Sequence, residues 1–243
     1  GIISIMKTKN VILIIGTAFL FLQQQSLTSQ SKINFLEGNL AFSKPTGFFS
    51  RNIPQVKIGF EAGYLRQLKA EKPLFWGISV YYHPINTASA TIEEFLDFNL
   101  VNFDYTTTSN LLGFNGKMRF YPDIYLGKTE LYLEALFGYK WLFTSTSKTL
   151  SDDQDSSDSS FERGSLSLTY GAAAGINYPV YNQLFINLRV NYLPGLSTSY
   201  FVRNNGNTVT YSSIELFDLK KSTTDIVRWD IGVTWRFTGK NEE

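Results

Sequence analysis

Residues 226–237 read IVRWDIGVTWRF. Val227, Trp229, Ile231, Val233, Trp235 and Phe237 share one parity, and Arg228, Asp230, Gly232, Thr234 and Arg236 share the other. Successive side chains on a strand point to opposite faces, so a strand here has one apolar face and one polar face. The apolar face carries three large aromatics. Such a strand faces lipid on one side and a polar interior on the other.

The same parity recurs upstream. The alternation predicts strands at 34–42, 55–68, 74–83, 109–121, 129–143, 164–178 and 184–193, which with 226–237 make eight. The clearest is 129–143. There Leu131, Leu133, Ala135, Phe137, Tyr139, Trp141 and Phe143 alternate with Glu130, Tyr132, Glu134, Gly138 and Lys140. Connections alternate in length: 43–54, 84–108, 144–163 and 194–224 are long, and 69–73, 122–128 and 179–183 are short. An even strand number with one short-turn side and one long-loop side describes an outer-membrane barrel. The expected fold is all-β, an eight-stranded antiparallel up-and-down transmembrane β-barrel over residues 30–243. Two long connections carry signals of their own. EEFLDFNL at 93–100 reads as a short helix or a strand extension. SYFVR and TVTYSSIELF around RNNGN at 203–207 read as a hairpin above the membrane, whose exposed edge could serve adhesion or strand addition.

Parity alone also fits a soluble barrel with its apolar face inward. Three features favour apolar-out. The polar parity is rich in glycine (Gly59, Gly63, Gly77, Gly113, Gly138, Gly171, Gly175 and Gly232), which weakens a water-facing strand but makes room in a narrow lumen. Both charge signs share that parity: Glu37, Glu61, Glu130, Glu134 and Asp230 against Lys57, Lys117, Arg119, Lys140, Arg189, Arg228 and Arg236. Buried charges must pair, and this inventory allows a lumenal network. Aromatics on the apolar parity gather near both strand ends, as two interfacial girdles require.

Composition narrows the function classes. The chain has 243 residues, no Cys and one His, His83. Thiol chemistry, disulfides and a His-based metal cluster are excluded. Net charge is 22 − 21 = +1, which gives a nucleic-acid partner no electrostatic support. Mean hydropathy is −0.10, too polar for a helical membrane protein but suited to a barrel in which alternate residues face lipid. Residues 1–29 read as a leader and signal peptide, with Met6 as the expected start, Lys7 and Lys9 as a basic segment and Val11 to Leu22 as the apolar run. Cleavage is expected near Ser29–Gln30. Loss of Lys7 and Lys9 takes the charge to 20 − 21 = −1.

With these strands in hand, the chain resembles small eight-stranded outer-membrane barrels of the OmpA/OmpX type. The resemblance covers nearly all of the mature chain and lies in architecture. Its one specific match is Asp230-Ile231-Gly232-Val233-Thr234-Trp235-Arg236-Phe237, which is similar to a barrel-assembly signal built on Asp230, Gly232, Trp235 and Phe237. That implies recognition by the barrel-assembly machinery. The tail Thr238 to Glu243 departs from relatives that end on the aromatic. No peptidoglycan-binding domain is expected, and the Tyr/Phe/Asn-rich style resembles proteins of the Bacteroidota. The resemblance further implies an outer-membrane location, a periplasmic N-terminus, extracellular long loops, and contact with outer-membrane lipid, lipopolysaccharide and other outer-membrane or surface proteins.

Candidate chemistry is sparse. His83, with Ser79 on the same face, invites a lipid-modifying enzyme, but it has lumen parity and precedes Pro84; a rim residue is the better reading, and no catalytic residue or cofactor is expected. The lumenal charges read as a structural network rather than a conduction path. A narrow pore for small or hydrophobic molecules is the alternative. Asp152, Asp153, Asp155 and Asp158 lack the glycine and terminal glutamate of a calcium hand, so the acidic stretch 144–163 reads as a solvated, flexible loop; divalent bridging to lipopolysaccharide stays open. The primary expectation is testable on a gel. The mature protein should need detergent or lipid to stay in solution, and it should migrate differently boiled and unboiled.

Overall fold

A computed structural model describes residues 31–70, 72–96, 99–122, 124–150, 153–204 and 213–239. The leader expected at 1–29 lies outside these residues. Eight strands close into one antiparallel barrel: β1 (Ile33–Pro45), β2 (Lys57–Gln67), β3 (Leu74–Leu96), β4 (Asn99–Phe120), β6 (Thr129–Leu150), β7 (Asp153–Tyr181), β8 (Leu184–Leu193) and β11 (Ile226–Thr238). Each pairs with its neighbours in chain order, β4 pairs with β6, and β1 pairs with β11 to complete the ring. A two-residue arm, β5 (Tyr125–Leu126), pairs back onto the start of β6. Each expected strand overlaps one of these eight.

The alternation in sequence becomes an inside and an outside. On β2, Ile58 and Phe60 are each 59% exposed, whereas Glu61 beside Phe60 is 2% exposed. On β6, Phe137 is 67% exposed and Tyr132 fully buried. All eight strands turn large apolar residues outward, from Leu40 on β1 and Trp76 on β3 to Trp229 and Trp235 on β11. Soluble monomers rarely expose contiguous apolar patches above a few hundred Å². A continuous belt around a closed ring is the exterior of a barrel solvated by hydrocarbon. Aromatics mark its margins. Trp141 and Phe143 stack at 4.8 Å on the loop side, and Trp235 and Phe237 at 5.1 Å on the turn side. The belt between Trp229 and Trp235 spans six residues, about 20 Å of strand.

Three expectations are corrected. The connections 84–108 and 144–163 are mainly strand rather than loop. β3 runs on to Leu96 and β4 starts at Asn99, so 93–100 is chiefly a strand extension. The acidic stretch belongs to the β6–β7 hairpin, whose ladder reaches Leu150 and Asp153. β4 and β6 stay paired from Phe120 and Leu133 to Phe103 and Leu150. Together β3, β4, β6 and β7 form a four-stranded fin that stands above one side of the barrel. In the β6–β7 hairpin the β-branched Thr and small Ser residues suit a strand with two polar faces and give little apolar signal to read, whereas the tip of β4 sets Val101, Phe103 and Tyr105 opposite Asn102 and Asp104. The third correction concerns 194–224. SYFVR does form a strand, β9 (Thr198–Arg203), and it pairs with β10 (Phe217–Ser222), which starts at the last residue of TVTYSSIELF, but the pair does not extend β8 and β11. This pair is a separate two-stranded sheet folded over the mouth. Asp152 and 205–212 lie outside the described residues.

Two lumenal glycines show how the ring is filled. Gly113 is the cross-strand partner of Tyr81, and Gly175 of Tyr132. A Cβ at either glycine would overlap the partner tyrosine ring. Gly113→Val is therefore expected to displace Tyr81 and to cost on the order of 1–3 kcal/mol, the usual range for overpacking. Urea unfolding in lipid vesicles measures this. Recovery of most of the loss in Gly113→Val/Tyr81→Ala would identify the ring as the cause.

Candidate functional site

The lumen is built in three layers. At the turn side Phe35, Leu65 and Phe75 are buried, with Phe35 and Phe75 rings 4.9 Å apart and Tyr121 packed against both. Phe35 and Phe75 sit on the polar parity, so a reading by alternation expects charge or glycine there. They are aromatic because this end closes the lumen against the short turns.

The middle layer holds the charges. Glu61 receives Lys117 at 2.7 Å and Arg189 at 2.5 Å, and it also pairs with Arg228. Glu37 pairs with Arg119 at 2.6 Å and with Lys117 at 3.4 Å. Glu134 pairs with Arg119 at 2.5 Å and Arg189 at 3.2 Å, while Asp230 takes Arg189 at 2.7 Å and Arg228 at 2.9 Å. These eight side chains are fully buried, and their formal charges, four negative and four positive, cancel. Two of the arginines also stack on the tyrosines that the glycines admit. Arg228 lies 4.5 Å over Tyr81, and Arg119 lies 3.9 Å over Tyr132.

Four members of the expected lumenal set stand apart. Glu130 and Arg236 form their own pair, about a quarter exposed, near the turn-side aromatics. Lys57 sits half-exposed at the loop-side start of β2, where its Nζ donates to Gln55 at 3.2 Å; it belongs to the rim rather than to the network. Lys140 is fully buried, and its Nζ donates to the carbonyls of Leu193 at 2.7 Å and Thr224 at 2.5 Å. Sequence parity put Lys140 inside but could not say at what height or beside which partner. Of the assembly-signal residues, Asp230 lies in the charge network, Gly232 faces the lumen against Gly38 and Asn39, and Trp235 and Phe237 face outward.

The loop-side layer is apolar and joins barrel-wall residues to segments of the connections. A short helix, α1 (Gly47–Asn52), enters through Gly47 at φ 58° and buries Phe49. Phe49 meets Tyr200 of β9 edge-on at 5.1 Å. Ile53, Ile85, Leu111, Leu142, Leu193, Val202 and Ile226 belong to the same cluster, with Tyr81, Leu136 and Ala173. Lys140 joins the two ends of the covering segment, since Leu193 and Thr224 flank it. Thr224 N also donates to Gly195 O at 3.3 Å, and Gly195 N donates to Asp225 Oδ1 at 3.0 Å. Sequence reasoning missed this cap. Its signal is faint: buried apolar residues such as Leu136 and Leu142 on the polar parity of β6 mark where the interior stops being polar.

His83 is also in this layer. Its Nε2 lies 3.0 Å from Ser43 Oγ, not bonded to Ser79, and its ring packs beside Tyr81 at 5.8 Å in space left by Gly59. A cavity of about 20 Å³ beside it is lined mostly by apolar side chains of the cap. That volume is about one water molecule and holds no substrate. Among the described residues no group of three or more His, Asp and Glu is placed to hold a metal ion.

Comparisons with known proteins add little detail. No family model matches the chain, and no curated protein matches it. Several solved barrels do. The attachment invasion locus protein of Yersinia pestis, solved with the heparin analogue sucrose octasulfate, is 15% identical over 86% of this chain and 100% of its own, with a TM-score of 0.37. A major outer membrane protein from Thermus thermophilus is 14% identical over 86% and 100%, with a TM-score of 0.43. The outer membrane protein OprG from Pseudomonas aeruginosa is 13% identical over 88% and 99%, with a TM-score of 0.42. The barrel is established by this chain's own ladder and exterior.

Removing one member of the charge network strands its partners. Glu61→Gln leaves Lys117, Arg189 and Arg228 short of a shared anion and is expected to cost about 3–5 kcal/mol. Arg236→Gln breaks a partly exposed pair and is expected to cost about 1 kcal/mol or less. Equilibrium unfolding of both variants in vesicles distinguishes a network at the centre from independent pairs.

Proposed function

We propose that this chain is a non-enzymatic bacterial outer-membrane barrel that works as a structural or interaction component of the cell envelope. The observation that carries this reading is the fin. β3 continues thirteen residues beyond His83, to Leu96, which is about 40 Å of strand. A filled barrel anchors it, and the β3–β4 and β6–β7 hairpins offer a mixed surface above the apolar belt, in which Ser, Thr and acidic residues lie beside exposed Leu100 and Phe161. Both described ends of the chain lie on the short-turn side, since Ile33 pairs with Thr238. In the proposed orientation that side is periplasmic, and the fin and the β9–β10 cap are extracellular. Residues 1–29 direct export and are removed. Asp230, Gly232, Trp235 and Phe237 are read by the barrel-assembly machinery. Partners are other outer-membrane or surface molecules, met as an accessory subunit or through the fin.

The packed lumen favours this reading over a pore. Apolar layers at both ends enclose a neutral charge layer, which leaves an ion no single-sign path to follow. Planar-bilayer recording is expected to show no steady ion-selective conductance, and a stable open level would overturn the filled-lumen reading. Removing residues 88–105 and 147–160 shortens both hairpins above the belt. That variant should keep its boiled-versus-unboiled gel shift, and it should fail to retain a partner that a pull-down of the full chain in mild detergent is expected to recover.

A further inference from the structure

Exposed cations gather where the loop-side rim meets the apolar belt. Lys44 lies on the outward parity of β1, two residues beyond Phe42, and faces Val227 across the ladder. Val227 in turn faces Tyr192, so Lys44 stands in an otherwise apolar outward row. Arg51 of α1 is exposed, with its guanidinium 4.7 Å from the centre of the exposed Phe48 ring. Val56, just before β2, is exposed, whereas Lys57 turns inward opposite Ser43 and lines the small cavity beside His83. Lys221 is exposed on β10, which is tied to α1: Asn52 donates to Tyr200 Oη at 2.7 Å, and that hydroxyl lies 2.6 Å from Ser222 Oγ. Carboxylates of this quadrant are engaged elsewhere. Asp218 pairs with Lys220 at 3.1 Å, and Asp225 accepts from Gly195 N and Thr223 Oγ1.

The fin carries both signs: Glu93, Asp104, Asp158 and Glu162 are exposed or half-exposed on it, Lys148 faces Asp158 across the ladder, and exposed Arg163 lies beside Glu162. Among the described residues the rim cations have no such acidic neighbours in register. Lys44 is roughly 7 Å of strand above Phe42. With a Debye length near 8 Å at physiological salt, it sits within about one screening length of the belt, where a layer of lipid phosphates would meet it.

We propose that the β1–α1–β2 rim, with Lys221, docks the phosphate groups of an outer-leaflet glycolipid headgroup. Lys44, Arg51 and Lys221 hold the phosphates, and Phe48 and Val56 lie against the upper acyl chains. Long cationic side chains at the top of an apolar wall reach up to headgroup level along their own stems, and a guanidinium matches phosphate oxygens two at a time. The inference rests on the outer-membrane reading with loops outward, and it names the lipid chemistry that this rim selects.

The test uses the full chain folded in detergent micelles, titrated with bis-phosphorylated lipid A, with lipid A stripped of phosphate, and with inorganic phosphate, each read by native mass spectrometry. Lys44→Gln/Arg51→Gln/Lys221→Gln is compared with Lys69→Gln/Lys72→Gln/Lys128→Gln, which makes the same charge change on turn-side connections. The rim triple is expected to lose at least about tenfold in affinity for the phosphorylated lipid, while the turn-side triple stays within about twofold of the parent. The parent should hold the stripped lipid about tenfold more weakly as well. Equal losses in both triples, or equal binding of the two lipids, overturns the docking site. Displacement by millimolar phosphate as effective as by lipid shows a free-anion site and overturns the commitment to a headgroup. A boiled-versus-unboiled gel shift retained in all variants keeps the membrane-barrel reading standing whichever way the titrations fall.

Discussion

Glu61 is the carboxylate on which the interior turns. It comes from β2 and meets Arg189 from β8, Arg228 from β11 and Lys117 from β4. Those strands lie on different walls of the ring, so the contact exists only once the ring has closed. An unpaired buried charge costs several kcal/mol, and four of each sign in one lumen would be prohibitive without mutual neutralisation. The requirement that every lumenal charge find its opposite thus couples closure, register and strand order. A one-residue slip would carry the charges to the lipid face and the apolar belt inward, which penalises both faces together.

Space and charge are solved by one device used twice. A glycine on one strand leaves a hollow, a tyrosine on the adjacent strand lays its ring there, and an arginine stacks on that ring before reaching its carboxylate. Gly113, Tyr81 and Arg228 form one set, and Gly175, Tyr132 and Arg119 the other. The ring holds the guanidinium in place, which limits the entropy lost in forming the ion pairs. Lumenal glycines are therefore part of the electrostatics as well as of the packing.

The two ends of the barrel differ because their connections differ. Short turns leave the chain little to cover the mouth on their side, so residues of the barrel wall and adjoining turn close it: Phe35, Leu65, Phe75 and Tyr121. Long connections close the other mouth with segments of their own, α1 and the β9–β10 sheet. A two-stranded sheet is marginal alone. This one is held by buried Tyr200, Val202 and Phe217, and by Lys140 drawing Leu193 and Thr224 together. The fin needs no such support, because its ladder is continuous with the barrel's.

By itself the sequence determined which residues face lipid and which face the lumen, how many strands the barrel has, and that charges of both signs share the interior. A strand's side-chain period is two, and that period is written directly in residues such as those of 129–143 and 226–237. Two ion pairs were within reach of a register argument, since Arg119 faces Glu134 and Arg189 faces Asp230 across adjacent strands. Only the tertiary structure decided the rest. Glu61 meeting Arg228, Lys57 resting at the rim, Lys140 binding carbonyls instead of a carboxylate, and Ser43 rather than Ser79 meeting His83 all depend on height and direction around the barrel. Parity carries neither, because strand tilt and stagger are properties of the closed ring. The β6–β7 half of the fin and the cap escaped the pattern for a related reason: a strand with two polar faces, or a segment buried by folding back, has no alternation to show.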